Sequence, residues 1–546
     1  MKLQVVLAAF ISLVLTSGAF AGERYLVVLK STQSFKTAST TLSNKDKGFF
    51  NSFGFGNTFS KVNANVVDKL ENLNTLVVSA DAAEIAKLQN NSEVALIEKE
   101  IFHPAPKPMK GFVVNSKNKS VMASATAAPG KPWGIDAVKA PEAWKASGNK
   151  GSGTRVLVLD TGIDAEHPSL KANFEKGQDF TGASNGSDFS DNMGHGTHVS
   201  GTIAGIEDAA GFTGVAPEAK VLMGRVCSSA GCSNIAIAQG INWGVTENVD
   251  VISMSLGGMW STPAERAAID AADQAGITVV AASGNNGSGV VSYPAALPTV
   301  IAVGAINNKL EKADFSQFGP ELAIVAPGVA VVSTVPMGSG RESEVYVTTK
   351  NVAKKVESKS FQGAKESSMA VDTELVYAGL GKPEDFVGRD FTGKYALISR
   401  GEITFGDKVK NALAAKAAGV IIYNNAPGLI SGAITQDGTT LEIFAAMVEQ
   451  TVGEELKAEL DAGMPATASI MTLKTDYAAF DGTSMATPHV AGVVALVKGA
   501  NKALKPTEVK AILQKTAQSL LGSNANNELG AGLVNAEAAV NAALGK

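Results

Sequence analysis

Three short motifs in this chain offer an acid, a base and a hydroxyl. Asp160 opens Asp160-Thr161-Gly162-Ile163-Asp164, His195 and His198 stand in Gly194-His195-Gly196-Thr197-His198, and Ser484 lies in Asp481-Gly482-Thr483-Ser484-Met485-Ala486-Thr487-Pro488-His489. A serine hydroxyl is a weak nucleophile until a base takes its proton, and a histidine base needs a buried carboxylate to fix its tautomer and stabilise its imidazolium. The sequence holds only five histidines. His103 falls in the N-terminal region, His167 sits beside Pro168 in a turn, and His489 lies about one turn beyond Ser484, which leaves His195 and His198 as bases. A helix opening at Ser484 aims its free N–H groups and the positive end of its dipole at the reacting oxygen. Pro488 is read as part of that first turn, where no helical N–H is lost.

The elements that must position these residues follow from the apolar pattern. Short runs at 155–159, 221–226, 249–256, 277–282, 299–303 and 322–326 alternate with helical stretches near 234–245 and 263–274. Strands so uniformly apolar belong to a parallel sheet covered by helices on both faces, so the fold class is α/β with a doubly wound, mainly parallel sheet. The texture returns in helices at 489–497, 506–516 and 535–543. Each motif stands at the end of a core element, where ligand sites of open α/β sheets lie. Before the core, strands at 24–30, 75–79 and 93–99 with a helix at 82–88 predict a small α+β unit, and residues 104–130 hold four prolines and no apolar periodicity, as an exposed linker does. Between the two halves of the core, residues 338–472 read as a β-rich domain built around a strand at 393–401, a helix at 406–419 and a strand at 420–424, inserted in a surface loop where insertions cost little.

At 546 residues the chain has room for roughly three to four folding units. Forty-seven Lys and Arg against 52 Asp and Glu leave a net charge of −5, too small to suggest a nucleic-acid surface or a polybasic membrane anchor. Residues 1–21 carry one early cation, Lys2, then an apolar run over 3–15 and Ala19-Phe20-Ala21, the pattern of a cleaved export signal rather than of a spanning helix, which needs about 20 apolar residues. The expected location is therefore outside the cytoplasm, extracellular or periplasmic, without a membrane anchor. Export permits a disulfide between the only two cysteines, Cys227 and Cys232; the other reading is two quiet thiols.

Taken singly the motifs are ambiguous, since Asp-Thr-Gly also occurs in aspartic proteases and Gly-Thr-Ser can simply cap a helix. Together, in the order Asp, His, Ser on one parallel sheet, they resemble the subtilases, the subtilisin-type serine proteases. The resemblance covers about 132–334 and 476–543. It implies that Asp160 orients the base, His195 is general base and acid, Ser484 is the nucleophile, and His198 only packs or hydrogen-bonds. The segment Ala282-Ser283-Gly284-Asn285-Asn286-Gly287 resembles the family's oxyanion segment, which gives Asn285 the amide donor and leaves Asn286 as a turn residue. By the same resemblance Ser255-Leu256-Gly257-Gly258 forms one wall of the primary substrate pocket, and Ser283, Gly284 and Ser292 the other. With no acidic residue in those segments, large apolar or aromatic side chains are expected before the cut.

The resemblance extends to an inhibitor-like propeptide at 22–103, a linker with the maturation site at 104–128, a catalytic domain at 129–337 and 473–546, and a protease-associated domain at 338–472. It implies a monomeric secreted endopeptidase that cuts protein or peptide substrates, uses its own propeptide as intramolecular inhibitor, and needs no cofactor or metal for chemistry. The loop at 206–212 resembles a calcium loop and supplies Asp208, but Pro129 and Ser169 replace the family's other two side-chain ligands, which puts a structural calcium there in doubt. A non-catalytic binding or adhesion protein on the same scaffold would have lost a triad member or Asn285, and none is lost. An α/β-hydrolase esterase would need Gly-x-Ser-x-Gly and the order Ser, acid, His, which Gly482-Thr483-Ser484-Met485-Ala486 does not give.

Overall fold

The computed structural model describes residues 23–43, 59, 62–106, 130–184, 186–369, 371–430, 432–435, 439–520 and 527–546. The leader at 1–21, most of the linker and Pro129 lie outside the described residues. The chain forms two compact units, Met1–Ile101 and Phe102–Lys546. Phe102 and His103, grouped by sequence with the first unit, pack with the second.

In the first unit the strands Asn65–Leu70, Thr75–Ala80, Glu23–Leu29 and Val94–Lys99 make an antiparallel sheet in that order. Alternation along the Glu23–Leu29 strand sends Tyr25, Val27 and Leu29 to one face, where they pack with Phe35 and Leu42 of the helix Thr32–Ser43 and with Ile85 and Leu88 of the helix Ala82–Gln89. The sequence reading missed two elements here. The helix Thr32–Ser43 is rich in Thr and Ser, and the strand Asn65–Leu70 is mostly exposed, so neither shows a strong apolar period.

The second unit is built on a seven-stranded sheet in the order Leu322–Pro327, Ile301–Ile306, Thr278–Ala282, Val251–Met254, Arg155–Asp160, Lys220–Arg225, Phe174–Asp179. Every pairing in it is parallel. Six strands are the expected apolar ones. The seventh, Phe174–Asp179, closes an edge with the polar sequence Phe-Glu-Lys-Gly-Gln-Asp, which no apolar run betrays. The strand order reverses at Arg155–Asp160, so Asp160 emerges at the carboxyl end of the strand from which the sheet winds both ways, the usual place for a ligand site. The helices His195–Ala204 and Thr483–Ala500 pack against each other and on the sheet, as do Asn234–Glu247 and Pro263–Gln274.

The inserted domain leaves this core through a two-stranded ladder, Val331–Thr334 with Tyr477–Phe480, and continues as a ten-residue antiparallel ribbon, Gly340–Thr349 with Ala466–Thr475. At its centre Tyr395–Ser399, Gly419–Tyr423 and Phe444–Val448 run parallel, the first two joined by the helix Phe405–Ala414. Ala396, Ile398, Val420 and Ile422 fill a core on one face of these strands, and Tyr395, Leu397 and Ile421 a core on the other. The domain therefore buries its own apolar residues on both faces of its sheet.

Candidate active site

His195 is the first residue of a helix buried along its whole length. Its Nδ1 lies 2.8 and 3.0 Å from the two carboxylate oxygens of Asp160, and both side chains are fully buried. Nδ1 therefore carries the proton and donates it to the carboxylate, which leaves the Nε2 lone pair available. Nε2 has no hydrogen-bond partner among the described residues. The Asp160 carboxylate also accepts the Thr161 N–H at 2.7 Å.

Asp191, which sequence reading passed over, fixes the start of this helix. Its buried carboxylate accepts the N–H groups of Met193, Gly194 and Thr197 and the hydroxyls of Thr161 and Thr197, at 2.7 to 3.0 Å. The Thr161 hydroxyl in turn accepts the Gly196 N–H at 2.9 Å. Strand end and helix start are thus locked together around the His195–Asp160 pair. An acid four residues before a helical histidine was the available signal, since carboxylates favour helix N-termini.

Ser484 is the second residue of the helix Thr483–Ala500, which opens after Gly482. Gly482 has φ +154°, a backbone conformation that side-chain-bearing residues rarely adopt. Pro488 lies in the second turn of this helix, not in the first as expected. It has no N–H to give the Ser484 carbonyl four residues back. Ser255 Oγ donates to that carbonyl instead at 2.8 Å, and Ser484 Oγ donates to the Ser255 carbonyl at 3.0 Å. This reciprocal pair ties the Ser484 turn to the end of the Val251–Met254 strand.

Asn285 Oδ1 accepts the N–H and the hydroxyl of Thr483, at 2.8 and 2.9 Å. Both carbonyl contacts are spent on the residue before Ser484, so the amide Nδ2 is held beside the same turn. Asn286 folds its own turn, accepting the Ser288 N–H at 3.0 Å.

The cleft around Ser484 and Asn285 is lined by Ser255, Leu256, Gly257, Gly258, Gly284 and Ser292. Gly258 exchanges two backbone hydrogen bonds of 2.9 Å with Tyr293, which joins the two walls, and a Cβ on Gly257 would stand 2.7 Å from the Tyr293 carbonyl. Ser283 departs from expectation: it is fully buried behind the wall, with Oγ donating to the Gln317 carbonyl at 2.9 Å. Gln317 takes its place as a lining residue. Its sequence context, far from the wall segments, gave no sign of this. Glu265, also missed, faces an adjoining pocket.

His198, His489 and His167 are structural. His198 Nε2 lies 3.0 and 3.1 Å from the carbonyls of Val331 and Ala478, its ring stacks on Phe480, and burial pushes its pKa down to about 3. His489 Nδ1 bonds the Met485 carbonyl at 2.8 Å and burial lowers its pKa to about 4. His167 bonds the Asp476 carbonyl at 2.9 Å and is likewise lowered by burial. Cys227 and Cys232 form a disulfide that closes the small ladder leading into the helix Asn234–Glu247. Asp208 Oδ1 accepts the N–H groups of Ala210 and Phe212, and Ser169 Oγ pairs with the Tyr477 hydroxyl.

This geometry meets its match among known proteins. The sequence pattern of the Subtilase family matches residues 151–371 and 416–532, and that of the PA domain matches 369–456. Subtilisin NAT of Bacillus subtilis subsp. natto is 34% identical over 337 residues, covering 61% of this chain and 78% of its own. Subtilisin of Bacillus pumilus is 42% identical over 228 residues, covering 41% of this chain and 82% of its own. The crystal structure of the psychrophilic subtilisin-like protease Apa1 from the Antarctic psychrotroph Pseudoalteromonas sp. AS-11 superposes with a TM-score of 0.54 at 29% identity, covering 76% of this chain and 98% of that one. The chain belongs to the subtilase family, with a PA domain inserted in its protease region. It is a subtilisin-like serine endopeptidase.

Proposed function

We propose that the chain is exported as a self-inhibited precursor, that it matures by its own cleavage, and that Asp160, His195, Ser484 and Asn285 carry its chemistry. The observation that carries this reading is the buried His195–Asp160 pair with a free Nε2, on a helix packed against the one that opens at Ser484.

In this mechanism the Ser484 side chain turns from the Ser255 carbonyl and gives its proton to His195 Nε2 as Oγ bonds the peptide carbonyl carbon. The carbonyl electron pair moves onto oxygen, and the oxyanion takes hydrogen bonds from Asn285 Nδ2 and the Ser484 N–H, donors that need no reorganisation. The imidazolium, held by Asp160, passes its proton to the departing amine as the C–N bond breaks, which leaves an acyl-enzyme. His195 then takes a proton from water, whose oxygen attacks the ester carbon, and returns a proton to Ser484 Oγ as the acid leaves. The side chains, the Ser484 main-chain N–H and the attacking water together supply every proton and charge in these steps, so the proposed mechanism requires no cofactor. A structural calcium at 206–212 is not part of the proposal, since Asp208 Oδ1 and the Ser169 hydroxyl already have partners.

Export rests on the leader-like residues 1–21, with no choice made between periplasm and medium. A membrane anchor is not proposed, and no described helix is long and apolar enough to cross a membrane. The enzyme is proposed to act as a monomer on protein or peptide substrates, with no nucleic-acid partner. Self-inhibition is supported by Phe102, His103, Pro104, Ala105 and Pro106, which line the same cleft as Ser484. Leu256, Ala282 and Gly284 in the wall, without an acid, support a preference for large apolar residues before the cut.

Ser484→Ala tests the whole reading. Intact mass of the purified variant should show the unprocessed precursor, while wild type shows a chain cut between 105 and 128. A variant that matures as fast as wild type, free of other proteases, would overturn self-processing.

A further inference from the structure

The helix Pro263–Gln274 begins with a capping box: Thr262 Oγ1 accepts the Glu265 N–H, and Glu265 Oε2 accepts the Thr262 N–H at 2.7 Å. Such a box is ordinary at a helix start, and it uses one carboxylate oxygen. The other, Oε1, points into a pocket whose walls are otherwise mostly apolar, among them Ile237, Ile241, Leu256 and Ile269. There it meets His103 Nε2 at 2.8 Å, with both side chains 5% exposed.

His103 reaches this pocket as a bound peptide does. The strand Phe102–His103 adds to the edge of Gly231–Ser233, with His103 opposite Cys232 and Phe102 opposite Ser233. Main-chain pairing of this kind supplies affinity, and the pockets that receive alternate side chains supply selectivity. Three residues further on, Pro106 lines the cleft that contains Ser484 and Asn285. Gly258 makes the fit, because a Cβ there would run into the His103 imidazole, and Trp260 lies across the ring with centroids 6.5 Å apart.

A carboxylate oxygen buried among aliphatic side chains must find a donor, and a side chain without one leaves it unpaired at high cost. A site built to hydrogen-bond its ligand therefore rejects an apolar substitute far more strongly than an apolar pocket rejects a small change of size. We propose that Glu265 is a specificity-determining residue, which selects substrates that place an imidazole or another basic, hydrogen-donating side chain where His103 sits, several residues before the cut. This rests on reading residues 102–106 as lying in the cleft the way a substrate does. The primary pocket next to Ser484 selects separately. Folded or unfolded proteins with His, Lys or Arg at that earlier position would be the preferred class.

The test uses the mature enzyme, dye-labelled casein as reporter, and free peptides spanning residues 98–106 as competitors. The peptide with His at the position of His103 should inhibit at about tenfold lower concentration than those with Leu or Phe there, and a Lys peptide should also outdo Leu. In Glu265→Leu the order should invert. Equal inhibition by the His and Leu peptides, inhibition by none, or a Glu265→Leu enzyme that still prefers His would overturn the proposal. The wild-type comparison decides by itself if that variant fails to fold. Casein left uncut by the wild type would instead overturn the reading of the chain as an active peptidase.

Discussion

Replacing Asn285 by Ala removes one amide and leaves His195 and Asp160 where they are. Asn285 Oδ1 is spent on Thr483, so the group lost to a reacting substrate is Nδ2, which in the proposed mechanism acts on charge that appears only in the transition state. Turnover of Asn285→Ala should fall by about 10² to 10³, a magnitude carried over from subtilisin itself, with KM nearly unchanged. Steady-state kinetics on a peptide anilide check this, and an unchanged kcat in the mature variant would remove Asn285 from the chemistry. The residues proposed for the chemistry, Asp160, His195, Ser484 and Asn285, were legible in the sequence because motifs carry them. Asp191, Gln317 and Glu265 were not, since each acts through a partner more than two residues away in the chain or across the fold: Thr197 for Asp191, Ser292 for Gln317, His103 for Glu265. Asp191 alone had a local signal, its place four residues before His195, and no local pattern encodes the meetings of Gln317 and Glu265.

The helix that starts at His195 carries a second buried histidine and the helix that holds Ser484 carries one, and this gives the pair a dependence on acid. His198 and His489 are neutral in the fold, with pKa values of about 3 and about 4 against 6.5 for a free side chain. The unfolded chain binds their protons first as pH falls, so stability is unaffected well above 6.5 and declines below it, each histidine costing up to about 1.4 kcal/mol per pH unit. Asp191 works the other way. Burial raises its pKa, so its contribution favours the fold in acid and is lost as pH rises through the folded value. For Ser484→Ala, which cannot digest itself, denaturant unfolding should show stability about 2 to 4 kcal/mol lower at pH 5 than at pH 8, with the decline starting near pH 6.5. A decline that starts only near pH 4 would assign it to carboxylates instead. Two other helices, Pro263–Gln274 and Pro506–Thr516, were readable from apolar spacing, and each has its proline at the start. The edge strand Phe174–Asp179 was not, because an edge strand half open to water needs no apolar run.

At the scale of the molecule, the inserted domain is the part whose work the catalytic motifs leave open. It contains no histidine, so it has no Ser-His-Asp set of its own, and it re-enters the core at Tyr477–Phe480, immediately before the turn that holds Ser484. That placement suits a domain that restricts which proteins reach the cleft and takes no part in bond cleavage. Its removal is mechanically simple. The Val335 N–H bonds the Asp476 carbonyl at 2.8 Å and the Gly338 N–H bonds the Asp476 carboxylate at 2.7 Å, so the two ends of the ribbon already lie side by side. Because the domain fills two apolar cores with its own side chains, cutting the ribbon at Gly340 and Thr475 and closing it with a short Gly-Ser turn exposes few core residues of the catalytic sheet. The shortened enzyme should melt within a few degrees of wild type, since about 1 kcal/mol corresponds to roughly 2 to 4 °C in a domain of this size. It should also hydrolyse a small peptide anilide within about twofold of the wild-type rate, because the groups that stabilise the transition state all lie outside the ribbon. The sites and rates at which it cuts folded proteins should change. A folded variant with unchanged anilide activity and an unchanged protein-cleavage pattern would sink the gating role. A large drop in melting temperature would show instead that the domain's main work is to cover the core beneath it.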